Sequence, residues 1–373
     1  MSYIIGKKNM EKNNNDIVKV IHIVGKMDMG GQETFIMNLY RNIDRNKIQF
    51  DFIVHSKEKG YYDDEIEKLG GKIYRITPLS KNIFKHILEL YKVLKVNNKY
   101  ILHRHTCSSI IAIDLLVAKL AKIKKRIVHS HATKSSTHEV ANKMFRFLMN
   151  KLATDKLACS NEAGKFLYGE KSKFKVIHNS IELEQFEFNE QTREEVRKEH
   201  KCKDKYVIGH VGRFDEAKNH KFILELMEQI VKKNSNVELW LIGDGELRKE
   251  IEEDAENKKI KQYIKFMGTQ KNVNRLLMAM DVFIFPSIYE GLGIALIEAQ
   301  CTGLNCVVSN QIPNEAIITN NVKKIDLKEE KEIWIKEILR EPKEKRIIDM
   351  DEEKIRQYGI NNLLKEMKDV YMN

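Results

Sequence analysis

Val282-Phe283-Ile284-Phe285-Pro286, followed after three residues by Glu290-Gly291-Leu292-Gly293-Ile294-Ala295-Leu296-Ile297-Glu298, is the stretch on which the reading of this chain turns. The apolar run closed by proline predicts a buried strand, and the residues from Ile294 onward predict a helix. A strand, a glycine-rich turn and a helix start, in that order, present backbone N–H groups and a positive helix end to an anion. Glu298 lies about one turn into the helix, and its side chain leans back toward the N-terminus. Glu290 stands on the approach side of the same turn. Acids on either side of a diphosphate suit sugar hydroxyls, one from a ribose and one from a transferred sugar. A solvated acid beside a helix-N-terminal acid favoured by the dipole accounts for the pair equally well.

Outward from this stretch, strand-like runs alternate with amphipathic segments. They fall at 18–24, 48–54, 72–76, 100–105, 126–130, 156–159 and 174–178, and the pattern restarts after a charged stretch at 182–205 with runs at 206–211, 237–242, 264–267, 282–285 and 305–309. Such alternation predicts α/β structure with parallel sheets covered by helices. The chain of 373 residues is long enough for two such units. The expected layout is two doubly wound, Rossmann-like domains at 17–185 and 186–352 facing a central cleft. A polar, asparagine-rich tail at 1–16 precedes them, and a helix at 353–373 crosses back to the first.

Composition narrows the function classes. Hydrophobic residues make up 42% and charged residues 32%, which describes a globular protein rather than a disordered one. No apolar stretch approaches the ~18 residues of a membrane span, 110–121 being interrupted by Asp114 and Lys119, and no signal-peptide core is present. Five scattered cysteines without a C-x-x-C pair read as reduced, mostly buried thiols, so a cytoplasmic protein is expected. The net charge of +11 suits anionic substrates, an anionic membrane surface or nucleic acid without choosing among them.

Three further turns carry chemistry. Gly212-Arg213-Phe214-Asp215-Glu216-Ala217-Lys218 follows the run at 206–211, and its two cations can converge on one diphosphate, with Arg213 as a fork and Lys218 as a point charge; solvated surface cations are the alternative. Gly243-Asp244-Gly245 closes the run at 237–242, where Gly243 permits close backbone approach to a ligand or merely a tight turn. Gly30 and Gly31, after the first strand, can bring N–H groups to the same phosphate from the opposite wall, or form a flexible turn. No Gly-x-Gly-x-x-Gly stands there, which weighs against a nicotinamide or flavin enzyme.

His103, His105, His129 and His131 fall at the ends of two strands. They are expected to line a cleft rather than to hold a metal, because no acid or cysteine stands at matching spacing. His131 is the candidate for contact with a transferred sugar. Asp349-Met350-Asp351 reads as solvated linker. Lys122, Lys124, Lys125 and Arg126, followed by Lys143, Arg146 and Lys151 among Phe145, Phe147 and Leu148, suit peripheral contact with an anionic membrane or an ordinary amphipathic helix.

With these motifs in order, nearly all of 17–373 resembles the retaining GT-B glycosyltransferases of family 4, particularly the bacterial capsule and exopolysaccharide enzymes, most specifically over 207–309. The resemblance implies a nucleotide-diphosphate sugar as donor, a glycan or lipid-linked acceptor, no cofactor, no essential metal and no nucleic-acid partner. It implies that Glu290 contacts hydroxyls of the donor sugar, Glu298 the ribose, and Gly291, Leu292 and Gly293 the donor through backbone N–H groups. Arg213 and Lys218, on the loop opened by Gly212, would hold the diphosphate, Gly30 and Gly31 would approach it, and His131 would sit near sugar and acceptor. His178-Asn179-Ser180 departs from the frequent Pro-Asn-Gly, at the expected interdomain hinge, and Glu246 replaces a frequent proline. A sugar-nucleotide epimerase of similar layout and a non-catalytic sugar-nucleotide or nucleic-acid binder are the competing readings.

Overall fold

The structure is a computed structural model that describes residues 17–131, 139–340, 346 and 352–373. The expected tail at 1–16 and the Asp349-Met350-Asp351 linker lie outside the described residues. The first half builds seven strands: β1 (Val18–Val24), β2 (Ile48–Val54), β3 (Ile73–Arg75), β4 (Ile101–Thr106), β5 (Arg126–Ser130), β6 (Asp155–Ala158) and β7 (Lys175–Val176). The second builds six: β8 (Tyr206–Val211), β9 (Val237–Ile242), β10 (Ile264–Gly268), β11 (Val282–Phe285), β12 (Asn305–Ser309) and β13 (Val322–Ile325).

Each half forms one sheet in which every recorded strand pair is parallel, in the orders β3-β2-β1-β4-β5-β6-β7 and β10-β9-β8-β11-β12-β13. Both are doubly wound. The strand order reverses between β1 and β4 in one sheet and between β8 and β11 in the other, and there the connecting loops leave the carboxyl edge in opposite directions and open a crevice. Helices cover both faces, so the strands are buried on both sides and carry continuous apolar side chains. All six residues of β9 are buried, and Trp240 and Phe283 are fully so.

The C-terminal segment departs from a single helix. It forms two, Glu352–Tyr358 and Ile360–Met372, separated at Gly359, whose extended backbone pairs in parallel with Ile181. The second helix packs on the helix Gly31–Asn42 and places Leu363, Met367 and Tyr371 in the first-half core with Tyr40 and Phe50. His178, Asn179 and Ser180 are held from both sides. The Asn179 amide donates to the Gly31 carbonyl at 3.2 Å and the Asn38 amide to the Ser180 carbonyl at 3.0 Å, while the His178 ring lies 5.0 Å from that of Tyr358.

Candidate active site

The loop after β8 is laced to the loop after β9. Gly212 N–H donates to the Ile242 carbonyl at 2.9 Å and Gly243 N–H to the Gly268 carbonyl at 2.8 Å, so neither amide is left for a ligand. Gly243 takes φ +134, and a Cβ there would lie 2.0 Å from the Gly212 carbonyl oxygen; one at Gly245 would lie 2.5 Å from that of Phe214. The close approach that these glycines permit here is loop against loop, as the tight-turn alternative for Gly243 has it.

Within this frame the Asp215 carboxylate accepts from Lys218 N–H at 3.2 Å, and Asn219, left-handed at φ 58, opens the helix His220–Lys233. The Asn219 side-chain amide donates to the Pro286 carbonyl at 3.1 Å, and Ile288 N–H donates to the Ala217 carbonyl at 2.8 Å. These bonds tie together the two loops that flank the β8–β11 crevice and turn Lys218 onto the Glu290 turn. Lys218 Nζ pairs with Glu290 Oε1 and lies 5.0 Å from the Phe285 ring centroid, a cation–π distance. Beneath it, burial pushes His210 down to about 4 and His220 to about 2. Both rings are neutral near pH 7 and set no charge against the ammonium.

Gly293 starts the helix Ile294–Cys301 at φ +89, a left-handed value that favours glycine, and an added Cβ would crowd Phe285 at 3.3 Å. Among the described hydrogen bonds, none takes up the amide N–H groups of Gly291, Leu292, Gly293, Ile294 or Ala295. Leu292 is buried and anchors the turn. Glu298 makes no hydrogen bond or ion pair among the described residues, and loss of hydration in its half-buried position raises it to about 8.

The first half meets this turn directly. Ser160 Oγ donates to the Gly291 carbonyl at 2.6 Å, and Asn161 to Glu315 at 3.2 Å. Gly30 precedes the helix Gly31–Asn42, and Glu33 folds back over it so closely that a Cβ at Gly30 would lie 2.4 Å from Glu33 Oε2. Burial raises the Glu33 carboxyl to about 7. Its own backbone N–H and Arg213 from the opposite half pull it down, and Asp28 pushes it up. Ser160 follows β6 and Gly291 follows β11, so their bond sets the carboxyl edges of the two sheets facing one another, and the exposed Arg213 acts on Glu33 across that gap. Gly31 is exposed, with nothing within 4 Å of an added Cβ.

The histidines do not line the cleft together. His103, His105 and His129 are buried in the sheet core, and only His131, just past β5, retains some exposure. Three of the four rings are withdrawn from any cleft because side chains two apart share a sheet face, here the face covered by the helix Gly31–Asn42, where Phe35 lies 5.0 Å from His129. Burial pushes His131 down to about 3, so it is neutral. Among the described residues, three groups bring donor atoms within 4.8 Å of one another: His22, His103 and His105; His105, His129 and His131; and His55, His86 and Asp114. In the last, the Asp114 carboxylate is already bound by His86 at 2.9 Å and Arg104 at 2.8 Å.

Sequence reading missed Glu33, Ser160 and His22. Glu33 was findable, since it stands three residues past Gly30, the residue that caps its helix, the position where an acid reaches back. Ser160 gives only an N-cap signal, its hydroxyl accepting from Ala163 N–H at 3.2 Å.

Comparison with known proteins follows this division. The family description "Glycosyltransferase Family 4" matches residues 29–185, and "Glycosyl transferases group 1" matches residues 191–370. A Bacillus subtilis protein named glycosyltransferase EpsF is 34% identical over 342 residues, 88% of each chain. The Staphylococcus aureus capsular polysaccharide biosynthesis glycosyltransferase CapH is 28% identical over 96% of this chain and 99% of its own. An Escherichia coli α-1,3-galactosyltransferase, named for UDP-Gal and a GlcNAc-diphosphoundecaprenol acceptor, is 27% identical over 83% of this chain and 84% of its own. The solved Anabaena HepE, in complex with UDP and glucose, superposes with a TM-score of 0.76 at 15% identity over 95% of this chain and 99% of its own. The chain is a glycosyltransferase of the GT-B fold and belongs to the capsule and exopolysaccharide group of that family.

Proposed function

We propose that this enzyme moves a sugar from a nucleotide-diphosphate donor to a glycan or lipid-linked acceptor, with retained anomeric configuration and no essential metal. One observation carries this reading: five consecutive amides to which no described hydrogen bond gives an acceptor follow the Glu290 that pairs with Lys218, at the sheet's switch point. Arg213, Lys218 and these amides hold the diphosphate and stabilise the charge that grows on it as the glycosidic bond breaks, which is the main electrostatic contribution to rate. Gly30 and Gly31 close on it from the first half. Glu290 takes hydroxyls of the transferred sugar, Glu298 those of the ribose, and His131 lies near sugar and acceptor. Family membership supports retention; the names of the Escherichia coli and Anabaena proteins support a uridine donor and a diphosphoundecaprenol-linked acceptor. Incubation with a panel of sugar nucleotides and acceptors, read by mass spectrometry in excess EDTA, should yield a glycosylated acceptor. Release of an epimerised sugar nucleotide alone, or loss of transfer to EDTA, would refute the reading.

The same proposal places the enzyme at an anionic bilayer. No helix among the described residues is long and apolar enough to cross a membrane. However, three neighbouring helices, Ile83–Val96, Ala112–Leu120 and Glu139–Leu152, expose Phe84, Leu88, Leu120, Val140, Met144 and Phe147. Exposed Lys85, Lys92, Lys119, Lys122 and Lys143 surround them, and apolar tips amid cations match acyl chains beneath anionic headgroups. Phosphatidylglycerol vesicles should co-sediment the protein and Phe84→Ser with Phe147→Ser should release it; equal binding by the double variant would remove this surface.

A further inference from the structure

Five imidazoles meet on one face of the first sheet, and the strand register sets His22 beside His103 and His105 beside His129. They form two hydrogen-bonded chains. In one, the Tyr371 hydroxyl lies 2.8 Å from His103 Nδ1, and His103 Nε2 lies 3.3 Å from His129 Nδ1. In the other, His22 Nδ1 lies 2.9 Å from His105 Nε2, and His105 Nδ1 lies 2.8 Å from His131 Nε2. The second chain runs from the core to the edge of the cleft. An apolar layer would fill the same space without leaving His22 Nε2, His129 Nε2 and His131 Nδ1 buried and unpartnered.

A neutral imidazole carries one N–H and one bare nitrogen. Burial keeps these rings neutral, with His22 and His131 both pushed down to about 3. His105 spends both of its nitrogens, one donating and one accepting, so the two links of its chain must point the same way. Either each ring donates toward the cleft, leaving the proton of His131 on Nδ1, or each donates inward, leaving a proton on His22 Nε2. The inner end decides. His22 lies against Phe50 and Phe52, with ring centroids 4.4 and 5.5 Å away, and offers its Nε2 no acceptor. His131 Nδ1 is equally buried and unpartnered among the described residues, but it ends the chain on the cleft side, where a bound ligand can supply the acceptor that Phe50 and Phe52 deny His22, so with ligand bound the chain points outward.

We propose that His22 and His105 are positioning residues for His131, fixing it in the tautomer that offers Nδ1–H to an oxygen of the donor sugar. This rests on the reading of His131 as a donor contact. The hydrogen bond at one imidazole nitrogen sets what the other presents, and partners that orient a functional imidazole in this way affect activity by roughly tenfold to a hundredfold.

The test combines nitrogen-15 histidine spectra, which distinguish Nδ1–H from Nε2–H, with transfer kinetics on the full chain. The wild-type protein saturated with a sugar-nucleotide donor should show His131 as Nδ1–H. His105→Phe should convert it largely to Nε2–H and lower kcat roughly tenfold to a hundredfold, with donor KM within about twofold. His105→Gln, whose amide donates at one end and accepts at the other, should keep Nδ1–H and most of kcat. If His105→Phe does not fold, His22→Phe breaks the same chain one link further in and is read in the same way. His131 as Nε2–H in the donor-saturated wild type, or unchanged kcat in the folded chain-breaking variant, would overturn the proposal, as would zinc retained at one equivalent after dialysis. Unchanged transfer in His131→Ala would instead remove the donor contact itself, while the spectra still decide the direction of the chain.

Discussion

Titration of UDP into the protein between pH 7 and pH 9 tests the ribose role of Glu298. The free protein holds this carboxyl at about 8, far above the usual carboxylate range, because its half-buried position strips hydration and no described residue supplies a donor. About nine-tenths of the molecules therefore carry a neutral Glu298 at pH 7. Ribose hydroxyls that donate to the carboxylate favour its ionised form, so binding expels the proton: about 0.9 per UDP at pH 7, about 0.5 at pH 8 and about 0.1 at pH 9. The apparent affinity rises roughly tenfold from pH 7 to pH 9 and then levels. Glu33, raised to about 7 across the cleft, would take up a proton as the diphosphate arrives, so the measurement belongs in a Glu33→Gln background. Calorimetry in buffers of different ionisation enthalpy reads the proton count, and adding Glu298→Gln should abolish both release and pH dependence. UDP binding without proton release at pH 7 in the Glu33→Gln protein would refute the role. The folding linkage has the opposite sense. The folded chain holds the Glu298 proton more tightly than the unfolded chain, so the cost to stability is absent below about pH 4.5 and complete above about pH 8. After discounting for partial exposure, Glu298→Gln should gain about 1–2 kcal/mol at pH 8 and nothing at pH 4 in urea denaturation.

Other variants probe the frame. Gly243→Ala forces a Cβ against the Gly212 carbonyl at an unfavourable φ and should cost about 3 kcal/mol or more in urea melts; a loss below about 1 kcal/mol would show that the two loops are not laced. Lys218→Met takes the paired ammonium from the buried Glu290 and should cost about 2–4 kcal/mol, which Glu290→Gln in the same chain largely restores. Transfer should stay at least a hundredfold down in the double variant, and recovery of activity along with stability would make the pair merely structural. Truncation after Gly359 uncovers the pockets of Leu363, Met367 and Tyr371 and should destabilise the first half by more than about 4 kcal/mol, read as insoluble expression or a lowered Tm.

The doubly wound sheets were legible because parallel strands buried on both faces keep their apolar residues contiguous. The expected run at 282–285 and the helix start at Ile294 coincide with the structure for that reason. Strand β13 escaped because Val-Lys-Lys-Ile, on the sheet edge, offers only two apolar residues. The Glu290 turn was legible as a motif, yet its pairing with Lys218 joins residues 72 apart and exists only where the strand order reverses. Gly243 was singled out as a turn glycine, but its crowding by the Gly212 carbonyl depends on how two connections stack. The histidines show the limit most directly. Their spacing was plain, whereas the strand face on which they fall, and hence their burial, follows from register.

The pairing of Ile181 with Gly359 has a mechanical consequence. The polypeptide passes between the lobes twice, and the outgoing and returning segments run side by side, bonded by Ile181 N–H to the Tyr358 carbonyl at 2.9 Å. Two adjacent tethers act as a pin about which the lobes can swing, and full separation would require cutting both. A protease cut in either tether alone would leave both lobes attached and still able to swing, and cargo must enter from the side away from the pin.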